Sequence, residues 1–225
     1  TSSGCDPNYS SVVLLLHMDN IGESFQNFTD SSSYARITSA VDNAQQSQAT
    51  NKWGAAGGIF DGSGDYLTSD GSTDFGFSTN AFTIEFWFRT QAAGVSYTLY
   101  DSRASGVADG HSPRVYKSGA DVMLYFTANA NRITGTTVIA TNTWYHVAVA
   151  RSGTSTKLFL DGVQEGSTYS DSINYTNGPS RPTIAAAGAA GAGGFGVTGT
   201  GTGAAGGGGG SSSPGLTVGV LCAPA

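Results

Sequence analysis

The chain has 225 residues, only 12% of them are charged, and its formal net charge is -6. A nucleic-acid-binding domain would need a basic patch, so this composition disfavours that class of protein. No apolar run approaches the roughly 20 residues that a membrane-spanning helix requires, so insertion into a membrane is not expected. The length suits one sizeable all-β domain, or a smaller domain with an appendage.

The predicted elements are β-strands, and no stretch has a helical period. Two sets of side chains alternate along 82–89 (FTIEFWFR) and along 144–151 (WYHVAVAR), which is the period of two that a strand with unequal faces produces. The pair Asp161-Gly162 then predicts a tight hairpin turn. In chain order the predicted strands are 12–16, 57–60, 66–68, 82–89, 97–102, 114–116, 121–127, 132–140, 144–151 and 157–160. Their short lengths and regular spacing predict an all-β fold, an antiparallel β-sandwich.

The chain changes character after Arg181. Residues 182–225 include no acidic, basic or histidine residue, and 188–210 is almost entirely glycine, alanine and threonine. Such a segment buries little apolar surface per residue. Three interpretations stay open for it: a flexible tail, an ordered glycine-rich packing element, or a stretch translated out of frame. The run 216–221 could still supply a last strand. The predicted division is a lead-in over 1–11, a sandwich over 12–184 and a glycine-rich segment over 185–225.

Two further features of the sequence concern a connecting segment and a pair of cysteines. The stretch 43–51 carries three glutamines and little apolar content, so it is predicted to be a solvated connection. Cys5 and Cys222 lie near opposite ends of the chain. They could form a disulfide if the first and last strands were neighbours, and two separate thiols are the alternative.

Four blocks of sequence resemble one known family. The blocks are 14–20 (LLLHMDN), 59–69 (IFDGSGDYLTS), 82–89 (FTIEFWFR) and 142–167 (NTWYHVAVARSGTSTKLFLDGVQEGS). They are similar to the laminin-G-like, concanavalin A-like jelly-roll domains of secreted adhesive proteins and bacteriophage virion proteins. The resemblance implies two antiparallel sheets, with ligands bound on the concave sheet or at the rim loops. Such domains usually close with a strand that carries two adjacent acidic residues near a basic one, and here the glycine-rich segment takes that place.

The acidic residues argue against catalysis. Related glucanases use paired carboxylates on one strand, because acid/base cleavage of a glycosidic bond needs two carboxyl groups flanking it. The glutamates here are Glu23, Glu85 and Glu165, and none of them has an acidic neighbour two residues away. His146 is predicted to be a packed or hydrogen-bonded sheet residue, and no nucleophile-elbow motif is present. The sequence therefore predicts a protein that is not an enzyme.

Calcium is the candidate cofactor. Hard cations bind carboxylate and carbonyl oxygens in loops, and the family resemblance implies that a rim site is plausible. The candidate ligands are Asp19, Asp30, Asp61 and Asp65. The alternative, which the sequence favours, is that each of these side chains caps its own turn.

Aromatic side chains in the middle of the chain are candidates for stacking on the apolar faces of sugar rings. The predicted ligand-binding residues are Tyr97, Tyr100, Arg103, His111, Arg114 and Tyr116. Trp87 and Trp144 are instead predicted to pack in the core.

The sequence and the resemblance together predict a non-enzymatic module that binds a cell-surface glycan or host receptor. We expect it in a phage tail fibre, an adhesin or a capsid decoration, and so on a virion or outside the cell. The competing hypothesis is a purely structural virion or filament subunit that assembles through its glycine-rich end. Other structural subunits and further copies of the chain are expected partners in either case.

Overall fold

The computed structural model describes residues 9–19, 25–104, 111–178 and 180–185, together with the backbone of 216–223. In chain order the strands of this part are β1 (Leu14–Leu16), β2 (Thr38–Val41), β3 (Gln45–Ser47), β4 (Gly57–Phe60), β5 (Tyr66–Ser69), β6 (Phe82–Thr90), β7 (Tyr97–Asp101), β8 (Arg114–Lys117), β9 (Met123–Thr127), β10 (Ala130–Thr134), β11 (Trp144–Ser152), β12 (Ser155–Leu160), β13 (Val163–Ser170), β14 (Thr183–Ile184) and β15 (Leu216–Ala223). Short 3-10 turns occupy Tyr9–Ser11 and Thr73–Phe75. Within these ranges no helix is long and apolar enough to cross a membrane.

The strands form two antiparallel sheets around one apolar core. Sheet A has the order β13-β12-β11-β6-β15-β4-β3, and β1 also pairs with β15. Sheet B has the order β10-β9-β8-β7-β14-β5-β2. The predicted all-β antiparallel sandwich is therefore confirmed.

Strand β6 lies at the centre of sheet A, because β11 pairs with one of its edges and β15 with the other. Alternate side chains of β6 are fully buried and half-buried. The four that point into the core are at most 1% exposed, and burying a side chain of this size contributes roughly 1.5–3 kcal/mol to stability. They are Phe82, Ile84, Phe86 and Phe88. The half-buried set between them forms the outer face of the sheet.

The closing strand is β15. From the sequence it was open whether 216–221 forms a strand at all. Its backbone runs antiparallel to β6, with Leu216 opposite Thr90 and Ala223 opposite Thr83, and its other edge pairs with β4 and β1. The last strand therefore fills the middle of sheet A although it lacks the acidic pair that is usual in similar domains. The segment 188–210 and Cys5 lie outside the described residues, so their interpretations stay predictions.

The turn at Asp161-Gly162 joins β12 to β13. Both residues have positive φ, 48° and 80°, as a two-residue hairpin turn of this type requires. The predicted hairpin is therefore confirmed.

Strand β3 lies where the sequence predicted a solvated connection. It pairs with β4, and Gln46 is only 2% exposed. The Gln46 side-chain amide donates to the carbonyl oxygen of Asn27 at 2.5 Å. The interpretation of 43–51 as a solvated connection was therefore wrong for β3, while residues 48, 49 and 51 are exposed as predicted. A hydrogen-bonded amide can be buried, and hydrophobic periodicity cannot predict such burial.

Two edge strands, β13 of sheet A and β10 of sheet B, also depart from the sequence pattern. Strand β13 was not predicted, because it is an edge strand whose side chains are mostly exposed and polar. Strand β10 ends at Thr134 and not at 140. Beyond it the chain turns, and Ile139 returns to the core at 2% exposure.

A line of buried hydrogen bonds crosses the core from sheet B to sheet A. The Tyr125 hydroxyl donates to the Tyr175 hydroxyl at 2.7 Å, and Tyr175 donates to Asp171 Oδ2 at 2.7 Å. Thr156 donates to the same carboxylate oxygen at 2.6 Å, and Arg151 Nη1 lies 3.9 Å from Asp171 Oδ1. Burial raises the pKa of both tyrosines, so both remain neutral donors at physiological pH.

We expect Tyr175→Phe to lower the free energy of unfolding by about 1–3 kcal/mol, because Asp171 loses a donor and Tyr125 loses its acceptor inside the core. Urea denaturation measures the change. The matched control is Tyr34→Phe, since Tyr34 is 47% exposed and its replacement should change stability by less than about 0.5 kcal/mol. Equal stability of the two variants would show that this line of hydrogen bonds does not hold the sheets together.

Candidate ligand-binding site

The outer face of sheet A carries large side chains at its centre. The alternation of β6 and β11 places Glu85 and Trp87 of one strand beside Trp144 and His146 of the other, with His146 directly opposite Trp87. All four are half-buried. The prediction that Trp87 and Trp144 are core residues was therefore wrong: they lie in the same phase of the strands as Glu85 and His146, facing away from the core.

A turn that precedes β4 lies over this face. It brings Trp53 against Trp87, with ring centroids 6.2 Å apart and an interplanar angle of 79°. The side-chain amide of Asn51 donates to the carbonyl oxygen of Gly54 at 2.8 Å and closes the turn. Gly54 has a φ of 68°, and a Cβ there would lie 2.5 Å from Asp19 Oδ2. The sequence therefore needs glycine at this position for the turn to sit against the end of β1.

A pocket of about 110 Å³ lies between this turn, the end of β1 and the two strands. The volume is several times the space that one water molecule needs. All three tryptophans of the chain line the pocket. Trp53 is 68% exposed, so much of its side chain is open to solvent. The other walls include Leu15, His17, Met18 and Lys52. We call this site the tryptophan pocket.

Polar groups stand around the tryptophan pocket. Lys52 Nζ lies 4.4 Å from the centroid of the Trp87 ring and 5.3 Å from that of Trp53. His146 Nε2 lies 3.3 Å from Glu85 Oε2, and the imidazole is 5.2 Å from the Trp87 ring. A largely apolar cavity with a few polar groups at its edge is the usual form of a small-ligand site.

Three of the predicted ligand-binding residues lie inside the sandwich. Tyr97 is 3% exposed, Tyr100 is 0% exposed and Arg103 is 3% exposed. The Arg103 guanidinium donates to both oxygens of Asp101, at 2.6 to 3.2 Å. Buried side chains offer no surface to a sugar ring in this conformation, and their binding role stays a prediction.

The other three are nearer the surface. The Arg114 guanidinium lies 4.1 Å above the Tyr116 ring and donates to Thr98 Oγ1. The Tyr116 hydroxyl donates to Asn131 Oδ1 at 2.8 Å. Burial, with the neighbouring Arg103, lowers the pKa of Arg114. His111 is exposed. The structure thus brings Arg114 and Tyr116 together on sheet B, away from the tryptophan pocket on sheet A.

The predicted calcium ligand Asp30 is used within the protein. Its carboxylate accepts hydrogen bonds from the backbone amides of Leu15 at 2.8 Å, Ser32 at 2.9 Å and Arg36 at 2.8 Å, and from the Ser32 hydroxyl at 2.7 Å. Burial raises the pKa of Asp30, but the hydrogen bonds from Arg36, Leu15 and Ser32 outweigh burial, so the pKa is lowered overall. Asp30 therefore caps the turn that follows it, as the alternative prediction from the sequence states.

Asp61 and Asp65 also cap their own turn. Asp65 is 1% exposed and accepts from the backbone amides of Asn43 at 3.0 Å and Asp61 at 2.9 Å, and burial raises its pKa. Asp61 accepts from the backbone amide of Ser63 at 2.7 Å. Asp19 lies apart, against Gly54. Among the described residues no group of three or more acidic, histidine or cysteine side chains could hold a metal ion, and the metal-binding role of these aspartates stays a prediction.

Sequence reasoning missed Lys52 and Trp53. Both lie in a polar turn with no hydrophobic period, where a pattern search assigns only a connection. The available signal was a tryptophan in a polar loop, since so large an apolar side chain is usually covered by other protein groups or by a binding partner.

A family model described as the concanavalin A-like lectin/glucanases superfamily matches residues 61–200. The resemblance noted in the sequence is therefore confirmed. No curated protein sequence matches the chain.

Three solved structures are similar to this fold. The binding domain of Paraclostridial Mosquitocidal Protein 1 is 11% identical with a TM-score of 0.66, and the match covers 96% of this chain and 49% of that one. The binding domain of botulinum neurotoxin DC, in complex with SialylT, is 12% identical with a TM-score of 0.63, covering 95% and 47%. Botulinum neurotoxin type C, which depends upon interaction with two ganglioside molecules to enter cells, is 14% identical with a TM-score of 0.65, covering 95% and 48%. The chain spans about half the length of these structures, and identities this low show a shared fold alone.

We expect Asp30→Asn to destabilise the protein more at neutral than at acid pH. The folded pKa of Asp30 is lowered, so its ionised form stabilises the fold above the ordinary pKa of about 3.9, and this contribution is lost as the pH falls through the folded pKa. Urea denaturation of both proteins at about pH 7 and about pH 3 measures the difference. A difference that stays constant between the two pH values would contradict the assigned role of the carboxylate.

Proposed function

This chain belongs to the concanavalin A-like lectin/glucanases superfamily, and from that membership we propose that it is a non-enzymatic module that binds cell-surface carbohydrate in the tryptophan pocket. The observation that carries the proposal is the position of the three tryptophans, which line one pocket on the outer face of sheet A. None of the three tryptophans is needed to fill the core, because the opposite face of β6 already supplies buried apolar side chains to it.

The chemistry of the tryptophan pocket suits a sugar. A sugar ring has an apolar face of C–H groups and a rim of hydroxyls, so it matches a flat aromatic surface with hydrogen-bonding groups beside it. Trp53 offers such a surface at 68% exposure, and Lys52 and His17 supply polar atoms at the edge. A ligand that covers Trp53 would remove apolar surface from water, and each Å² removed would contribute about 25 cal/mol to the free energy of binding.

Two of the similar structures support a glycan as the ligand class. One is a botulinum neurotoxin binding domain in complex with SialylT, and the other belongs to a neurotoxin that interacts with two ganglioside molecules. The support is analogy between folds, since the same fold can serve different ligands. The geometry of this chain's own pocket therefore carries more weight.

The described glutamates favour binding over catalysis. Glu85 lies in ion-pair distance of His146. Glu165 accepts hydrogen bonds from the backbone amides of Thr136 at 2.5 Å and Thr137 at 3.0 Å, which fixes the turn after β10. Cleavage of a glycosidic bond by paired carboxylates needs two of them flanking one groove, and Glu165 is committed to that turn. The module acts by holding its ligand.

The proposal extends to the assembly that carries the module. We place it in a phage tail fibre, an adhesin or a capsid decoration, on a virion or outside the cell, in contact with other structural subunits and further copies of itself. What supports this is the sequence resemblance of 142–167 to domains of such proteins. The composition of 188–210 favours a second candidate, a structural subunit that assembles through its glycine-rich segment.

We expect Trp53→Ala to weaken glycan binding at least about tenfold, because an exposed aromatic anchor in a pocket is the typical binding hot spot. A glycan array followed by calorimetry with the strongest ligand measures this. The control is Ile37→Ala, which removes a side chain that is 73% exposed outside the pocket. Both variants should keep the wild-type stability within about 0.5 kcal/mol.

The two candidate functions give different results in the same experiment. Binding that Trp53→Ala removes and Ile37→Ala retains supports the carbohydrate-binding module. No binding to any glycan, together with self-association that disappears when 188–210 is deleted, would favour the structural subunit. Sedimentation velocity of the intact and deleted chains measures the self-association.

A further inference from the structure

Lys52 is a half-buried cation at the wall of the tryptophan pocket. Its ammonium group lies over two indoles, 4.4 Å from the Trp87 centroid and 5.3 Å from the Trp53 centroid. Within the part of the chain that the structure describes, no carboxylate lies in ion-pair distance of Lys52 Nζ. The rings stabilise the positive charge, but they accept none of its three N–H groups in ordinary hydrogen bonds.

Other buried cations of the protein are satisfied in a different way. Lys117 donates to Asp121 and, at 2.8 Å, to the carbonyl oxygen of Val95. Arg151 donates to the carbonyl oxygens of Ile173 at 2.8 Å and Asp171 at 3.1 Å. Those side chains hold loops against the sandwich. Lys52 has no such structural partner in the described ranges, so its charge remains available to a ligand.

The carboxylates on the same face do not neutralise Lys52. Glu85 lies beside His146, with 3.3 Å between Oε2 and Nε2. Asp19 Oδ2 lies against Gly54, and among the described residues no ion pair joins Asp19 to Lys52. The chain as a whole carries a formal charge of -6, yet at physiological salt exposed charges more than about 8 Å apart are largely screened. The charge of Lys52 therefore acts on a group inside the pocket, whereas distant acidic residues contribute little to the electrostatic potential there.

We propose that Lys52 makes the tryptophan pocket selective for acidic sugars, whose carboxylate or sulfate oxygens accept hydrogen bonds from Lys52 Nζ while the sugar ring packs on Trp53. This inference rests on the proposed carbohydrate-binding function and names its ligand class. A carboxylate and a sulfate offer the same acceptor chemistry to an ammonium group. Lys52 is thus a specificity-determining residue, and Trp53 and Trp87 supply the contact surface that acidic and neutral sugars share.

The test uses the full chain on a glycan array in which each neutral core stands beside its sialylated and its sulfated form. We expect at least one acidic form to bind about tenfold tighter than its neutral core, since a hydrogen bond to a charged group is stronger than a neutral one by about that factor. Lys52→Gln should reduce the ratio to within about threefold, and Lys52→Arg should keep it. The matched control is Lys157→Gln, which removes a cation from β12 on the same sheet and should leave the ratio unchanged.

The outcomes separate this inference from the function on which it rests. Preference for the sialylated form alone, the sulfated form alone, or both supports the inference and identifies the acidic group. Equal binding of acidic and neutral forms that Trp53→Ala abolishes would overturn the acidic-sugar inference and leave the carbohydrate-binding function in place. An acidic preference that survives Lys52→Gln would also overturn it. Absence of binding to every form on the array would overturn both.

Discussion

Hydrogen bonds join β6 to β11 along one edge and to β15 along the other, and both the interior and the outer pocket are built on this pairing. Within nine residues the strand supplies Phe86 and Phe88 to the core and Trp87 to the opposite face. A slip of one residue in register would exchange the two faces, burying Trp87 and exposing the phenylalanines. The large cost of exposing that apolar surface fixes the register, and the register in turn fixes where the tryptophan pocket lies.

The tryptophan pocket joins parts that are distant in sequence. The end of β1, the turn around Gly54 and the strands β6 and β11 meet only because β15 draws β1 and β4 into the same sheet. The turn is closed by the bond from Asn51 to Gly54, and Trp53 contacts Trp87. The proposed ligand would therefore meet side chains that already contact one another, which lowers the ordering cost of binding.

The alternation of 82–89 and 144–151 was enough to predict the central pair of strands, because a sheet with one buried face has a strict period of two. The same rule could not find β3 or β13, where Gln46 is buried through a hydrogen bond and Val163–Ser170 is an exposed edge. The wrong prediction for Trp87 came from the general tendency of aromatic residues to be buried, since the period of two places Trp87 in the same phase as Glu85. The position of Trp53 depends on tertiary contacts that no local pattern contains.

The most direct test of the account follows the three indole N–H signals in a two-dimensional ¹H–¹⁵N NMR spectrum during titration with a glycan that the array identifies. We expect the signals of Trp53 and Trp87 to shift in a saturable way, together with the backbone amide of Lys52. Shifts confined to the residues around Arg114 and Tyr116 on sheet B, with all three indole signals unchanged, would contradict it.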